Sequence, residues 1–195
     1  MKLTYDQAVV LHKTGQLERA ECAYRELLDD PNIADHAGYG LGVLLLQVGN
    51  ADDALRYLKA ASENLPLDLD VANALGAAQQ QAGDQIAARI NFEKIIAVDC
   101  EHPKALLNLG VVLYQLKEFE SSISMLENAI QVEPKNGVAY YNYSRSLLAF
   151  GKLKEAEVAA SRALELQPND EKVNINLGVA QMSLGLAKEA ITSYK

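Results

Sequence analysis

Residues 105–134 read ALLNLGVVLYQLKEFESSISMLENAIQVEP. Apolar side chains recur at helical spacing in two runs: Leu106, Leu109 and Leu113, then Phe119, Ile123, Leu126 and Ile130. Lys117-Glu118 separates the runs. Pro134 stops the second, because proline cannot donate to a helical ladder and disfavours helical backbone in the residue before it. The stretch holds no nucleophile beside a base, no metal-ligand pair and no glycine-rich phosphate loop. It does place Asn108 among apolar neighbours, just before Leu109-Gly110.

The same pattern recurs along the chain. Gly42, Gly76, Gly110 and Gly178 share a register with a period of 34, in which Ser144 fills the vacant place. Gly15, Gly49, Gly83, Gly151 and Gly185 form a second register of the same period. Ala20, Ala54, Ala88, Ala156 and Ala190 form a third, interrupted by Ser122. Counting from Met1, the repeats run 1–34, 35–68, 69–102, 103–136, 137–170 and 171–195, the last incomplete. All five prolines, Pro31, Pro66, Pro103, Pro134 and Pro168, fall within three residues of the end of a repeat.

Each repeat is predicted to hold one helix over positions 3–14 and a second over 18–30. Glycine at position 15 supplies the left-handed residue that ends the first helix. Small residues at positions 8 and 20 allow the two helices to approach closely. One hairpin cannot bury its own apolar face, so the repeats must stack. The expected fold is all-α: a single right-handed superhelical solenoid of antiparallel helix pairs over residues 1–195.

Composition narrows the function. The chain is 49% hydrophobic and 23% charged, with a formal net charge of −8. Duplex binding needs clustered cations against phosphates, so nucleic acid is disfavoured as a partner, and so is an anionic membrane surface. Asp6 interrupts the region where a secretory signal would need an apolar run, and no stretch approaches the ~18 apolar residues of a membrane span. A cytoplasmic protein is expected. Cys22 and Cys100 are 78 residues apart and lack CxxC spacing; two half-buried free thiols are expected, not a disulfide or zinc site.

Catalytic signals are weak. His12, His36 and His102 are not spaced as metal ligands. The GYGLG run at 38–42 has neither a preceding strand nor the GxGxxG spacing, and Gly38 and Gly40 should each weaken their helix by roughly 1 kcal/mol. Repeat 2 is therefore expected to open more easily than the other interior repeats. The sequon-like Asn142-Tyr143-Ser144 overlaps the packing register. No enzyme activity, cofactor or metal is expected.

The segments LGVLLLQVGNADDALRYLKAASENLP, LGVVLYQLKEFESSISMLENAIQVEP and LGVAQMSLGLAKEAITSYK follow one order: Leu-Gly, then Gly, Ala, an aromatic residue or leucine, Ala and Pro. In this they resemble the tetratricopeptide repeat (TPR) family across essentially the whole chain. Departures are Lys117 at a turn-glycine position, Cys100 where the terminal proline belongs, and Gln7-Ala8 for Leu-Gly in repeat 1. The divergent first repeat suits an N-terminal cap. Repeat 6 stops inside its second helix, so either the chain is a piece of something longer or its end is covered by another molecule. The resemblance implies a concave groove lined by first helices that binds protein segments. In similar bacterial proteins such arrays often precede a transferase domain, which would make this chain a targeting arm.

Positions 2, 5, 6, 9, 12 and 13 of the first helices are expected to face that groove. Position 6 places Asn108, Asn142 and Asn176 one repeat apart. An amide offers two donors and an acceptor, enough to hold an extended peptide backbone whatever its side chains. The row resembles the asparagine ladder of O-linked N-acetylglucosamine transferase repeats. The alternative is that these amides bond within or between repeats and stabilise the stack. Lys104, Lys172 and Arg145, with Lys2 and Lys13, outnumber Asp6 and Asp70 by three, which favours an acidic ligand. Tyr39, Tyr114 and Tyr141 complete the candidate peptide-binding site. Val9, Val43, Leu46, Val111, Leu148, Ile175 and Val179 make the groove apolar. Tyr5 and Val9 stand where the family's carboxylate clamp would need Lys and Asn, so chaperone-tail binding is not expected.

A protein–protein interaction scaffold that holds a protein or peptide segment is the leading expectation. Self-assembly through the groove or the C-terminal repeat is the alternative, since Ala187, Ala190, Ile191 and Tyr194 have no following helix to cover them.

Overall fold

The computed structural model describes residues 3–168 and 170–193. Lys2, Tyr194 and Lys195 lie outside that range, so the groove charge at Lys2 and the apolar contact at Tyr194 are not placed. The described residues form twelve helices and no strand. First helices of the repeats are α1 (Tyr5–Lys13), α3 (Ala34–Gln47), α5 (Leu69–Gln81), α7 (Pro103–Gln115), α9 (Gly137–Phe150) and α11 (Glu171–Ser183). Second helices are α2 (Leu17–Leu27), α4 (Ala51–Asn64), α6 (Gln85–Val98), α8 (Phe119–Val132), α10 (Leu153–Leu166) and α12 (Ala187–Ser193). This is the all-α helical repeat array expected from the 34-residue register. The chain divides into two compact halves, Met1–Ile95 and Ile96–Lys195, with the division inside α6.

Turn chemistry follows the glycine register. Gly15, Gly49, Gly83, Gly151 and Gly185 have φ between 76° and 92°, the left-handed region that glycine enters without a Cβ clash. Lys117 adopts φ 63° at the same position of repeat 4, so the turn is kept there against its side chain. Helix starts are capped by side chains: Thr4 and Gln7 form a reciprocal capping box, and Asn50, Asp68, His102, Asn136 and Asp170 accept from first-turn amides.

Within a repeat, position 8 meets position 24. A Cβ at Gly42 would lie 2.5 Å from Leu58 Cγ, at Gly76 2.7 Å from Phe92 Cε1, and at Gly110 2.5 Å from Leu126 Cγ. Glycine in the first helix thus seats a large residue of the second helix, and Leu58, Phe92 and Leu126 are fully buried as a result. Repeat 5 evens out the sizes: Ser144 replaces glycine, Ala160 replaces the large residue, and both are fully buried.

The first half packs around aromatic residues. Tyr24, 1% exposed, lies 6.1 Å from the Tyr5 ring and 6.0 Å from His12. Gly40 is the residue that admits it, since a Cβ there would be 2.6 Å from Tyr24 Cε1. The helix cost expected at Gly40 is therefore offset by burial of a whole tyrosine ring. Burial raises the Tyr24 hydroxyl pKa to about 12.

In the second half a buried polar thread runs through the same level. Ser122, at the alanine register, donates to the Gly110 carbonyl at 2.7 Å and shares a 2.8 Å hydrogen bond with Ser146. The Ser146 proton is shared between Ser122 Oγ and the Asn142 carbonyl, 3.1 Å away. Each hydroxyl is satisfied, as burial requires.

Two expectations are corrected here. Cys22 and Cys100 are exposed, not half-buried: Cys22 sits on the outward side of α2, and Cys100 lies in the segment between α6 and α7. Ala190 is fully buried, because α11 packs over that side of α12; Ile191 is 57% exposed.

Candidate protein-binding face

First helices pack side by side within each half: α1 on α3 and α3 on α5 in one, α7 on α9 and α9 on α11 in the other. Among the described residues no helix is long and apolar enough to cross a membrane, and no group of His, Cys, Asp or Glu gathers as a metal site.

In the first half the inner positions are largely taken up by packing. Tyr5, Val9, Tyr39, Val43 and Leu46 are all partly buried against the core. The pKa of Tyr39 is pushed up to about 12, chiefly by burial and then by the carboxylates of Asp70 and Asp68 and by Tyr5. His12 is bonded on both nitrogens, Nε2 to Gln47 Oε1 at 3.0 Å and Nδ1 to the Tyr24 hydroxyl at 3.5 Å.

The second half differs. Val138, Ile175, Val179 and Met182, on α9 and α11, are between 43% and 54% exposed and fall at inner-face positions of the register. Val111 and Leu148 are half-buried beside them. An apolar strip of this kind, on helices whose other faces are packed, is the feature expected of an interaction surface.

Arg145 stands within that strip. Its guanidinium carbon lies 4.5 Å from the centre of the Tyr114 ring and 5.5 Å from that of Tyr141. Tyr114 comes from α7 and Tyr141 from α9, so two helices form the cation's seat. Arg145 Nη1 donates to Asn142 Oδ1 at 3.3 Å, and Asn142 Nδ2 donates to the Val138 carbonyl at 2.9 Å. Among the described residues Arg145 has no carboxylate partner, and neither does Lys172.

The three asparagines sit on adjacent helices but in different settings. Asn142 is 9% exposed and bonded at both ends of its amide. Asn176 Nδ2 donates to Ser144 Oγ, linking α11 to α9. Asn108 is half-buried, and Lys104 is exposed at the start of α7. The arginine clamp had one legible sign in the sequence: Arg145 is the sole charged residue in an otherwise apolar position-9 series, Val9, Val43, Ala77, Val111 and Val179. That Tyr114 and Tyr141 converge on it could not be read without the helix packing.

A cleft of about 550 Å³ opens away from this strip, lined by Tyr140 and Tyr143 of α9 and by Lys154, Val158 and Arg162 of α10. Two of its polar groups are already engaged, Tyr143 with Glu127 at 2.6 Å and Arg162 with Glu165.

Comparison with known proteins fits this architecture. Two tetratricopeptide repeat family models match, over residues 39–97 and 119–174. The peroxisomal targeting signal receptor of Saccharomyces cerevisiae is 33% identical over 88 residues, which is 45% of this chain and 14% of the receptor. BBSome complex member bbs-4 of Caenorhabditis elegans is 25% identical over 173 residues, 88% of this chain and 37% of that protein. The chain thus spans only a minor part of the length of these relatives. Among solved structures, residues 41 to the end of MamA from Desulfovibrio magneticus RS-1 superpose with a TM-score of 0.72 at 24% identity, covering 82% of this chain and 90% of that one; at this identity the likeness is one of fold. With two family models together covering more than half of its residues, in the register that its helices and glycine turns follow, the chain belongs to the tetratricopeptide repeat family.

Proposed function

We propose that the chain is a protein–protein interaction scaffold, and that the inner face of α7, α9 and α11 docks an extended segment of a protein partner. The observation that carries this reading is the exposed apolar strip of Val138, Ile175, Val179 and Met182, interrupted by Arg145 and bordered by Lys172. Such a strip loses its contact with water when a partner covers it, at about 25 cal/mol per Å² of apolar surface. The cations supply a preference for acidic segments. A relative named as a targeting signal receptor and another named as a complex member are consistent with an interaction role.

Asn108, Asn142 and Asn176 remain part of the proposed site, in divided roles. Asn142 and Asn176 fix the inner face through bonds inside the protein, and each retains amide valence for a ligand backbone. The test is an array of short peptides probed with the native chain and with Asn176→Ala. Loss of a ligand-backbone bond should weaken all bound peptides by about 0.5–1.5 kcal/mol, whatever their sequence. A drop in melting temperature with unchanged peptide affinity would assign Asn176 to the stack alone.

A further inference from the structure

Arg145 is the least explained side chain of the molecule. A half-buried guanidinium ordinarily has a carboxylate partner, because a partly desolvated charge without one is costly. Among the described residues none is bonded to it. The side chain is nevertheless held: Tyr114 and Tyr141 lie 4.5 Å and 5.5 Å from its carbon, and Asn142 Oδ1 takes a hydrogen from Nη1. Asn142 is fixed in its turn by the Val138 carbonyl.

The bond to Asn142 uses one particular part of the guanidinium. Nη1 is occupied, whereas Nε and Nη2 have no protein acceptor among the described residues. Those two nitrogens share one edge, and their N–H bonds run parallel, which is the geometry that receives both oxygens of a carboxylate. Because the side chain is already immobilised by its ring contacts and by Asn142, little rotamer freedom is lost when a ligand binds. Val179 and Ile175 lie on the next helix, α11. Adjacent first helices are ~10 Å apart, a span that an extended chain covers in about three residues.

We infer that Arg145 is the specificity residue of this face, reading one aspartate or glutamate side chain of an extended peptide that carries an apolar residue about three places away. Asn142 is its positioning residue. The inference rests on the proposed docking of a peptide on α7, α9 and α11 and names what that peptide must contain. A side-chain carboxylate is favoured over a chain terminus because exposed apolar residues lie both on Arg145's own helix, at Val138, and on the next, at Ile175, Val179 and Met182, so a segment that covers them all continues past the arginine.

The probe is a pair of short fluorescent peptide pools, acetylated and amidated, with one fixed Glu or one fixed Gln, a Leu three places on and other positions randomised. The native chain should bind the Glu pool roughly tenfold tighter than the Gln pool, the scale of a charge-assisted pair of hydrogen bonds. Arg145→Gln should bind the two pools equally. Arg145→Lys, which keeps the charge and the stem but lacks the two-nitrogen edge, should retain only a minor part of the preference. Asn142→Ala should lose part of it, and should lose nothing more when combined with Arg145→Gln. Equal binding of both pools by the native chain overturns the role of Arg145 and leaves the docking face standing. Failure of both pools to bind overturns the role of Arg145 and the docking face together. Full preference in Arg145→Lys, additive losses for the two residues, or tighter binding of a phosphoserine pool or of a free C-terminal carboxylate would each contradict the assignment.

Discussion

The two halves share one packing problem and part company on it at repeat 5. In the first, glycine on the first helix receives a large residue from the second, as at Gly42–Leu58 and Gly76–Phe92, and Gly40 receives the Tyr24 ring from α2. In the second, repeat 4 keeps that solution at Gly110–Leu126, whereas repeat 5 exchanges it for Ser144 and Ala160 and adds the hydroxyls of Ser122 and Ser146. The inner faces diverge likewise: Tyr5, Tyr39 and Val43 are drawn into the core of the first half, whereas Ile175, Val179 and Met182 are left open in the second. A repeat register therefore holds the first-helix position small while its second-helix neighbour varies from alanine to phenylalanine, and it leaves the inner face free to vary.

The largest effect should come from breaking a large partner in the first half. Phe92→Ala removes a fully buried ring and should cost about 3–5 kcal/mol in denaturant unfolding. The equivalent test in repeat 5 runs the other way. Ala160→Leu should cost about 1–3 kcal/mol by overpacking against Ser144, and Ser144→Gly in the same chain should recover most of it. If the double variant is no better than the single, the two positions do not share one volume.

A second contrast is in alkali. The pKa of Tyr24 and of Tyr39 is pushed up to about 12, mainly by burial, and that of Tyr5 is also raised. The folded state therefore holds these protons more tightly than the unfolded chain, in which phenols ionise near 10. Their contribution is complete below pH ~10 and is lost as pH rises from there towards ~12. Burial and the bond to Glu127 raise Tyr143 in the second half in the same sense. Hydrogen exchange across this range should find α1–α4 opening before α9–α10, and Tyr24→Phe should narrow the difference. Simultaneous opening would mean that the clustered tyrosines of the first half do not set its alkaline limit.

The smallest effect lies in the turns. Gly49 and Gly83 hold the left-handed conformation freely, whereas Lys117 holds it at φ 63° with a Cβ. Lys117→Gly should stabilise the second half by up to about 1 kcal/mol, the backbone relief being partly offset by glycine's greater freedom when unfolded. A loss of melting temperature would show that the lysine side chain contributes more than its backbone costs.

Periodicity made most of this fold legible, since glycines, alanines and prolines at a fixed spacing each have a local backbone or packing cause. Helix ends, turn conformations and the small-residue registers could all be read that way. What could not be read were consequences of contact between helices. The Gly40 position looked like a weak point until Tyr24 filled it. The cysteines looked half-buried because hydrophobic thiols usually are, but their positions face outward. Asn142 and Arg145 were legible as separate polar residues on an inner face. Their bond, and the two tyrosines around the guanidinium, depend on how α7 meets α9.

The central claim is that the apolar strip of α9 and α11 is a docking surface, and a paired substitution tests it most directly. Val179 and Val158 are both exposed valines of the second half, the first in the strip on α11 and the second in the outer cleft on α10. Val179→Glu and Val158→Glu should each change the melting temperature little, because both side chains reach solvent and neither belongs to the core. The affinity of the Glu peptide pool for each variant is the measurement. The account predicts loss of binding by tenfold or more in Val179→Glu, through desolvation and repulsion of an added carboxylate, and native affinity in Val158→Glu. Native affinity in Val179→Glu, or an equal loss in both variants, would contradict it.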